Sequence, residues 1–187
     1  MVAGCSTPVD TEDEARILDE IDRWPWPTDL KRRVQHYGYR YDYRARTVGP
    51  DAALGPLPDW LRPLAQAVSG PGLLDTVPGQ VIVNEYRPGQ GISAHVDCVP
   101  CFGPRIATLS LGAICVMLFR HPGTGACVER VLEPGSLLVL AGPARTDWRH
   151  EIPARKSDVV DGVRRARGRR VSVTFRTIVR SPPATPP

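Results

Sequence analysis

Val81-Ile-Val-Asn-Glu-Tyr86, Arg87-Pro-Gly-Gln-Gly91 and Ile92-Ser-Ala-His-Val-Asp97 read as strand, turn and strand. Short runs of β-branched and aromatic residues bounded by Gly and Pro mark a strand-rich domain. The same pattern continues over 106–111, 115–119, 128–132, 136–140, 147–152 and 171–179, with turns at His121-Pro-Gly-Thr-Gly125 and Glu133-Pro-Gly135. Eight such strands predict a mainly β sandwich or barrel.

Toward the N-terminus the pattern changes. Thr11 and Glu14 form a T-x-x-E capping box, and Ile17, Leu18, Ile21 and Trp24 follow at helical spacing, so a helix is expected over 11–24. A second is expected over 59–68, with Trp60, Leu61, Leu64 and Val68 on one face and Pro63 in the first turn, where proline is tolerated. Between them Tyr37, Tyr39, Tyr41 and Tyr43 alternate with Gly38, Arg40, Asp42 and Arg44. Period two predicts a strand with a tyrosine face and a mostly basic face. Such a strand either packs its rings on the core or offers them to stacked bases, with arginines for phosphates. Ser181-Pro-Pro-Ala-Thr-Pro-Pro187 reads as a disordered tail.

At 187 residues one domain with a real core is expected. With 42% hydrophobic and 24% charged residues, wholesale disorder is excluded. No apolar run is long enough for a helical membrane span. The N-terminal stretch lacks a basic segment followed by an apolar one, so a cytoplasmic location is expected, and the chain is taken as a monomer. The net charge of +4 gathers in Lys31-Arg-Arg33, in Arg40, Arg44 and Arg46, and between Arg164 and Arg170. Clusters of that kind suit a polyanionic partner or simply form a solvated face. Five Cys is an odd count, which predicts free thiols rather than a disulfide framework, and Cys98-x-x-Cys101 has no second pair at zinc spacing.

The opening stretch also carries the chemistry. On a strand, His95 and Asp97 point the same way. His150 follows Asp97 by 53 residues, inside a strand that can return beside the first. Two imidazoles and a carboxylate are the ligand set of a mononuclear non-haem Fe(II) site, with three positions left open for substrate and O2. In the last strand Arg170, Ser172, Thr174 and Arg176 alternate with Val171, Val173 and Phe175. One face is apolar; the other either points at solvent, as on an ordinary sandwich, or clamps a dicarboxylate, because the guanidinium fork binds carboxylates bidentately. The two arginines lie about 20 Å apart along the strand, so their side chains must lean together to share one small acid. Asn84 and Tyr86, also i and i+2, either add hydrogen bonds to the same acid or pack as strand residues.

Asn84-Glu-Tyr86, Pro88-Gly-Gln-Gly91-Ile-Ser-Ala-His95-Val-Asp97, Leu109-Ser-Leu-Gly112, Trp148-Arg-His150-Glu-Ile152 and Arg170-Val-Ser-Val-Thr-Phe-Arg176 together resemble the AlkB family of Fe(II)/2-oxoglutarate dioxygenases. The resemblance spans roughly residues 10 to 180. It implies a double-stranded β-helix, or jelly roll, with flanking N-terminal helices and a nucleotide-recognition lid. A single domain over 1–180 follows, with the lid at about 31–57 and the catalytic β core at 81–180. The resemblance makes His95, Asp97 and His150 the iron ligands. Asn84, Tyr86, Arg170, Ser172 and Arg176 become 2-oxoglutarate contacts, either with Arg170 and Tyr86 on the C5 carboxylate and Arg176 and Asn84 toward the C1 end, or with the two arginines exchanged. Ser172 stands where several members carry Asn. Arg33, His36, Tyr37, Tyr39, Arg40 and Trp148 are the candidate substrate contacts.

Within the family the chain is most similar to the branch that hydroxylates a modified wobble uridine in tRNA, through Arg32-Arg-Val-Gln-His36-Tyr-Gly38-Tyr, Phe119-Arg-His-Pro122 and Ser136-Leu-Leu-Val139. Within these 187 residues there is no RNA-recognition domain, methyltransferase domain or C-terminal cysteine cluster of that branch. The implied partners are Fe(II), 2-oxoglutarate, O2, and tRNA or alkylated single-stranded DNA or RNA. The rival readings are the same chemistry on a small molecule or peptide, and a non-catalytic basic binding barrel.

Overall fold

The computed structural model describes residues 9–27, 32–49 and 51–179. The expected 181–187 tail lies outside them, as do Lys31 and Pro50 of the lid range. In chain order the elements are α1 (Thr11–Arg23), β1 (Val34–Tyr37), α2 (Arg62–Ala67), β2 (Gln80–Tyr86), β3 (Ile92–His95), β4 (Phe102–Gly112), β5 (Cys115–Arg120), β6 (Cys127–Leu132), β7 (Leu137–Ala141), α3 (Pro143–Thr146), β8 (Arg149–Ile152), β9 (Ser157–Val160), β10 (Val163–Ala166) and β11 (Arg170–Ile178). Two antiparallel sheets face each other, in the orders β1-β2-β11-β4-β7 and β3-β8-β5-β6. This is the expected jelly roll.

The alternation in β11 decides which way the large sheet faces. Val171, Val173 and Phe175 share a face with Val81 and Val83 of β2 and with Ala107, Leu109 and Leu111 of β4. That face packs under Ile17 and Ile21 of α1 and Leu61 and Ala65 of α2. Phe175 is fully buried there, which contributes about 2–3 kcal/mol. The opposite face carries Arg170, Ser172, Thr174 and Arg176 beside Tyr86, Asn84, Ile82 and Gln80. It looks into the space between the sheets. A second core of Ile106, Leu138 and Leu140 against Met117, Phe119 and Ile152 closes that space at one end.

Several expectations need correction. The N-cap of α1 is Asp10, whose carboxylate accepts from Asp13 N–H at 2.9 Å. Glu14 is drawn instead to the Gly112 N–H, so there is no capping box. α2 starts at Arg62, not 59, because proline sits at its first positions. The 147–152 segment is a strand only from Arg149; a one-turn helix, α3, comes first. The hairpin β9–β10, missed in the sequence, covers Val116 and Leu118 on the outer side of the small sheet.

The tyrosine alternation is not a strand. β1 ends at Tyr37 because Gly38 has φ +74°, and a Cβ there would lie 1.9 Å from the Gly79 carbonyl oxygen. Beyond it only isolated bridges form, Tyr39 with Ala53 and Asp42 with Thr47. The free-thiol expectation also fails at one place. Cys98 and Cys101 are joined as a disulfide with Cα atoms 5.3 Å apart, while Cys115 and Cys127 are free.

One buried carboxylate ties the outer layer together. Glu85, 1% exposed, accepts from Arg33, Arg87 and Arg169, and Arg169 also binds Asp22 of α1. Burial pushes the Glu85 carboxyl up, but the hydrogen bonds from Arg33, Arg169 and Arg87 outweigh it and hold it at about 2, against an ordinary value of 4.5. Glu85→Gln is expected to destabilise the fold by about 3 kcal/mol in chemical denaturation. That is the low end for breaking a buried ion pair, because the arginines are partly exposed. The lowered value means that this stability is present above pH 4.5 and lost as pH falls toward 2. The gap between wild type and variant should therefore close across that window; a gap independent of pH would refute the assignment.

Candidate active site

His95 is the last residue of β3 and sits in register with His150 of β8. Their rings lie 4.3 Å apart. Asp97 lies two residues past His95, just beyond the strand, and its Oδ2 is 3.6 Å from His150 Nε2. One ligand atom from each of His95, Asp97 and His150 falls within 4.8 Å of the other two. The close approach of β3 and β8 depends on Gly91, where a Cβ would come within 2.1 Å of the Ile152 carbonyl oxygen.

The protonation states suit a cation. Ser93 C=O can only accept, so at 2.8 Å His95 donates to it through Nδ1, and Nε2 is the nitrogen open to a metal. Burial lowers His150 to about 4, with Asp97 pulling the other way, so its imidazole is neutral at pH 7. Burial raises the Asp97 carboxyl, but Arg176, His150, His95 and Arg145 together hold it at about 2. Two imidazoles and an ionised carboxylate in this arrangement can hold a divalent metal such as Fe(II).

The supports of Asp97 are buried arginines. Arg176 donates to Asp97 Oδ1 at 2.5 Å and to Gln80 Oε1 at 3.2 Å, and lies 4.8 Å over the Phe102 ring. Arg145, invisible in the sequence as a site residue, donates to the carbonyls of Asp97 and Cys98 from α3. No spacing rule links position 145 to 97; only the fold brings them together.

Arg170 is 3% exposed. Its Nη2 donates to Ser110 Oγ at 2.9 Å, and its guanidinium lies 5.5 Å from the Tyr86 ring centre. Its Nε and Nη1 are buried without a hydrogen-bond partner. A buried cation with two unused donors calls for an anion, and a carboxylate matches its fork. Ser172 hydrogen-bonds the Tyr86 hydroxyl on the same face. The two arginines do not lean together. Arg176 reaches the triad while Arg170 stays with Ser110 at the other end of β11, so the paired clamp expected from the sequence is not formed.

A cavity of about 1260 Å³ is lined by His95, Asp97, Asn84 and Arg176 together with Arg32, Tyr41, Tyr43 and Arg46. Among the candidate substrate contacts, His36 shares the inner face with Ile82 and meets Tyr43 edge-on at 5.8 Å. Tyr37 points the other way, buried between Trp24 and Trp60 with its hydroxyl on Gln35, so it is a core residue. Arg33 is turned outward to Glu85 and stacks on Trp26. Trp148 packs edge-on against His121 and on the second core. Tyr39 and Arg40 are not among the cavity-lining residues. Arg32, Tyr41, Tyr43 and Arg46 line the cavity instead.

The sequence profile described as the 2OG-Fe(II) oxygenase superfamily matches residues 23–176. A mouse (Mus musculus) protein, tRNA (carboxymethyluridine(34)-5-O)-methyltransferase ALKBH8, is 35% identical over 93% of this chain, which spans 30% of that protein's length. The bovine (Bos taurus) mitochondrial alpha-ketoglutarate-dependent dioxygenase alkB homolog 7 is 42% identical over 80% of this chain and 68% of its own. The solved structure of OsALKBH1 superimposes with a TM-score of 0.64 over 95% of this chain and 100% of that one, at 19% identity. At that identity the last likeness speaks for the fold alone. Among the described residues, no helix is long and apolar enough to cross a membrane.

Proposed function

This chain belongs to the 2OG-Fe(II) oxygenase superfamily, in its AlkB branch, and we propose that it oxidises a modified base of nucleic acid, with a tRNA uridine the first candidate. It is an Fe(II)- and 2-oxoglutarate-dependent dioxygenase. In this reading His95, Asp97 and His150 hold Fe(II). Arg170, with Tyr86 and Ser110, takes the C5 carboxylate of 2-oxoglutarate, and Arg176 and Asn84 stand toward the C1 end.

Bound there, iron and 2-oxoglutarate supply oxidation of a substrate C–H bond by O2, with release of succinate and CO2. The chain's own residues position and enclose. Arg176 and Arg145 fix the Asp97 carboxylate and its backbone. Ser93 sets the His95 tautomer. Tyr41 and Tyr43, packed edge-on at 5.2 Å, form an aromatic wall on which an unpaired base can stack.

The observation that carries the proposal is this cavity, whose lining brings two of the three metal-ligating residues, His95 and Asp97, together with the arginines and tyrosines of positions 32, 41, 43 and 46. The uridine comes from the name of the mouse relative. The test is nucleoside mass spectrometry after incubation with Fe(II), 2-oxoglutarate and ascorbate, on bulk tRNA and methylated single-stranded DNA in parallel. Gain of one oxygen on a tRNA uridine is the expected product. Loss of methyl from 1-methyladenine or 3-methylcytosine would replace hydroxylation by demethylation. Succinate without either product would overturn the nucleic-acid reading while leaving the iron chemistry intact.

A further inference from the structure

Arg32 stands apart from the other lid cations. Arg33, its neighbour, is committed to Glu85 through two N–H groups and faces away from the cavity. Arg32 lines the cavity. Its Nε donates to Asn84 Oδ1 at 3.0 Å, and its guanidinium lies 5.9 Å from the Tyr43 ring centre. It makes no ion pair with a carboxylate among the described residues. The side chain is half-buried, its orientation fixed on one edge by an amide and on one face by an aromatic ring. Its four other N–H donors remain at the cavity.

A guanidinium fixed in this way is a preformed fork for an oxyanion. Two oxyanions come within its reach, one on 2-oxoglutarate and one on the substrate. The co-substrate already has Arg170, which alone carries buried, unpartnered donors on that strand face besides the single Nε of Arg176. Arg32 instead precedes β1 and rests on Tyr43, on the same wall as Arg46, whose side chain hydrogen-bonds the Tyr41 hydroxyl. We infer that Arg32 binds a backbone phosphate of the nucleic-acid substrate next to the base stacked on Tyr43, and that Asn84 anchors it there. The inference rests on the nucleic-acid reading above. It adds a specific phosphate subsite and shifts the phosphate contact from Arg33 and Arg40 to Arg32.

A phosphate contact has a signature that a structural arginine lacks. Each neutralised phosphate of a single strand adds about 0.7 to the slope of log affinity against log salt. The measurement is fluorescence anisotropy of a labelled single-stranded RNA oligonucleotide with the Fe(II)- and 2-oxoglutarate-loaded protein under anaerobic conditions, over a salt series. Arg32→Gln keeps an N–H for Asn84 but loses the charge. It should weaken binding about tenfold and lower the salt slope by about 0.7. Arg32→Lys keeps the charge and should keep the slope. Arg33→Gln, which removes an equal charge on the helix-facing side of the sheet, should leave the slope unchanged. The thermal midpoint of each variant shows that it is folded.

An Arg32→Gln slope equal to wild type overturns the inference, even with the nucleic-acid reading intact. Equal losses in Arg32→Gln and Arg33→Gln also overturn it, since general electrostatics would then explain both. If the RNA does not bind wild type at all, both readings fall. If only KM for 2-oxoglutarate rises while RNA binding holds, Arg32 belongs to the co-substrate.

Discussion

Asp97→Ala is expected to abolish both iron binding and turnover. Metal content after desalting should fall to background. Succinate formation should fall by more than the ~100-fold that loss of a metal ligand's supporting partner costs. The variant removes the anionic member of the triad and also leaves Arg176 without its carboxylate in a buried setting. Stability of the metal-free protein should therefore fall as well, by about 3 kcal/mol. His95→Ala separates the two effects. His95 is half-buried, and its ring bonds only its own strand, at Ser93. That variant should lose iron and turnover with the metal-free stability nearly unchanged. Shared loss of iron with divergent stability is the pattern of two ligands, one of them also an ion-pair partner. Turnover surviving in either variant would remove that residue from the metal site.

What the sequence made legible follows from local periodicity. His95 and Asp97 were readable because strand alternation puts i and i+2 on one side. Even so, β3 stops at His95, and Asp97 is held beyond it by Arg145. Arg170, Ser172 and Arg176 were readable for the same reason: seven residues of strict alternation leave one arrangement with the apolar face inward on the helices. The jelly roll itself came from the family resemblance, since strand spacing alone allowed a sandwich or a barrel.

What was hidden depends on contacts distant in sequence. Nothing in Tyr37-Gly-Tyr-Arg-Tyr-Asp-Tyr43 announces that Gly79 crowds Gly38 and ends the strand. Once β1 ends there, Tyr37 belongs to the core and Tyr43 to the cavity. Arg32 and Arg33 differ by one residue, and Glu85, on the helix-facing side of β2, decides between them by claiming Arg33. Cysteine counting failed at Cys98 and Cys101 because the pairing follows the turn between Asp97 and β4, whose Cys98 carbonyl accepts from the Cys101 and Phe102 N–H groups.

Arg170→Ala is the second large effect, and it runs against the usual result of deleting a buried group. Truncating one partner of a buried charge pair costs about 2–5 kcal/mol, and each 1.4 kcal/mol is a factor of ten. KM for 2-oxoglutarate should thus rise by about 30-fold or more. Without co-substrate, the same guanidinium is a buried cation with two unpartnered donors, a destabilising arrangement. Its removal should leave the metal-free, co-substrate-free protein as stable as wild type or more so. Stabilisation by added 2-oxoglutarate should largely disappear, since that gain follows the affinity for the folded state. Arg176→Ala provides the contrast: Arg176 is already paired with Asp97 and Gln80, so its loss should destabilise the protein before any ligand is added. The two arginines, alike in sequence, would then be distinguished by the sign of their effect on the empty protein. If Arg170→Ala leaves KM for 2-oxoglutarate unchanged, the co-substrate carboxylate is held elsewhere and the assignment of this face must be withdrawn.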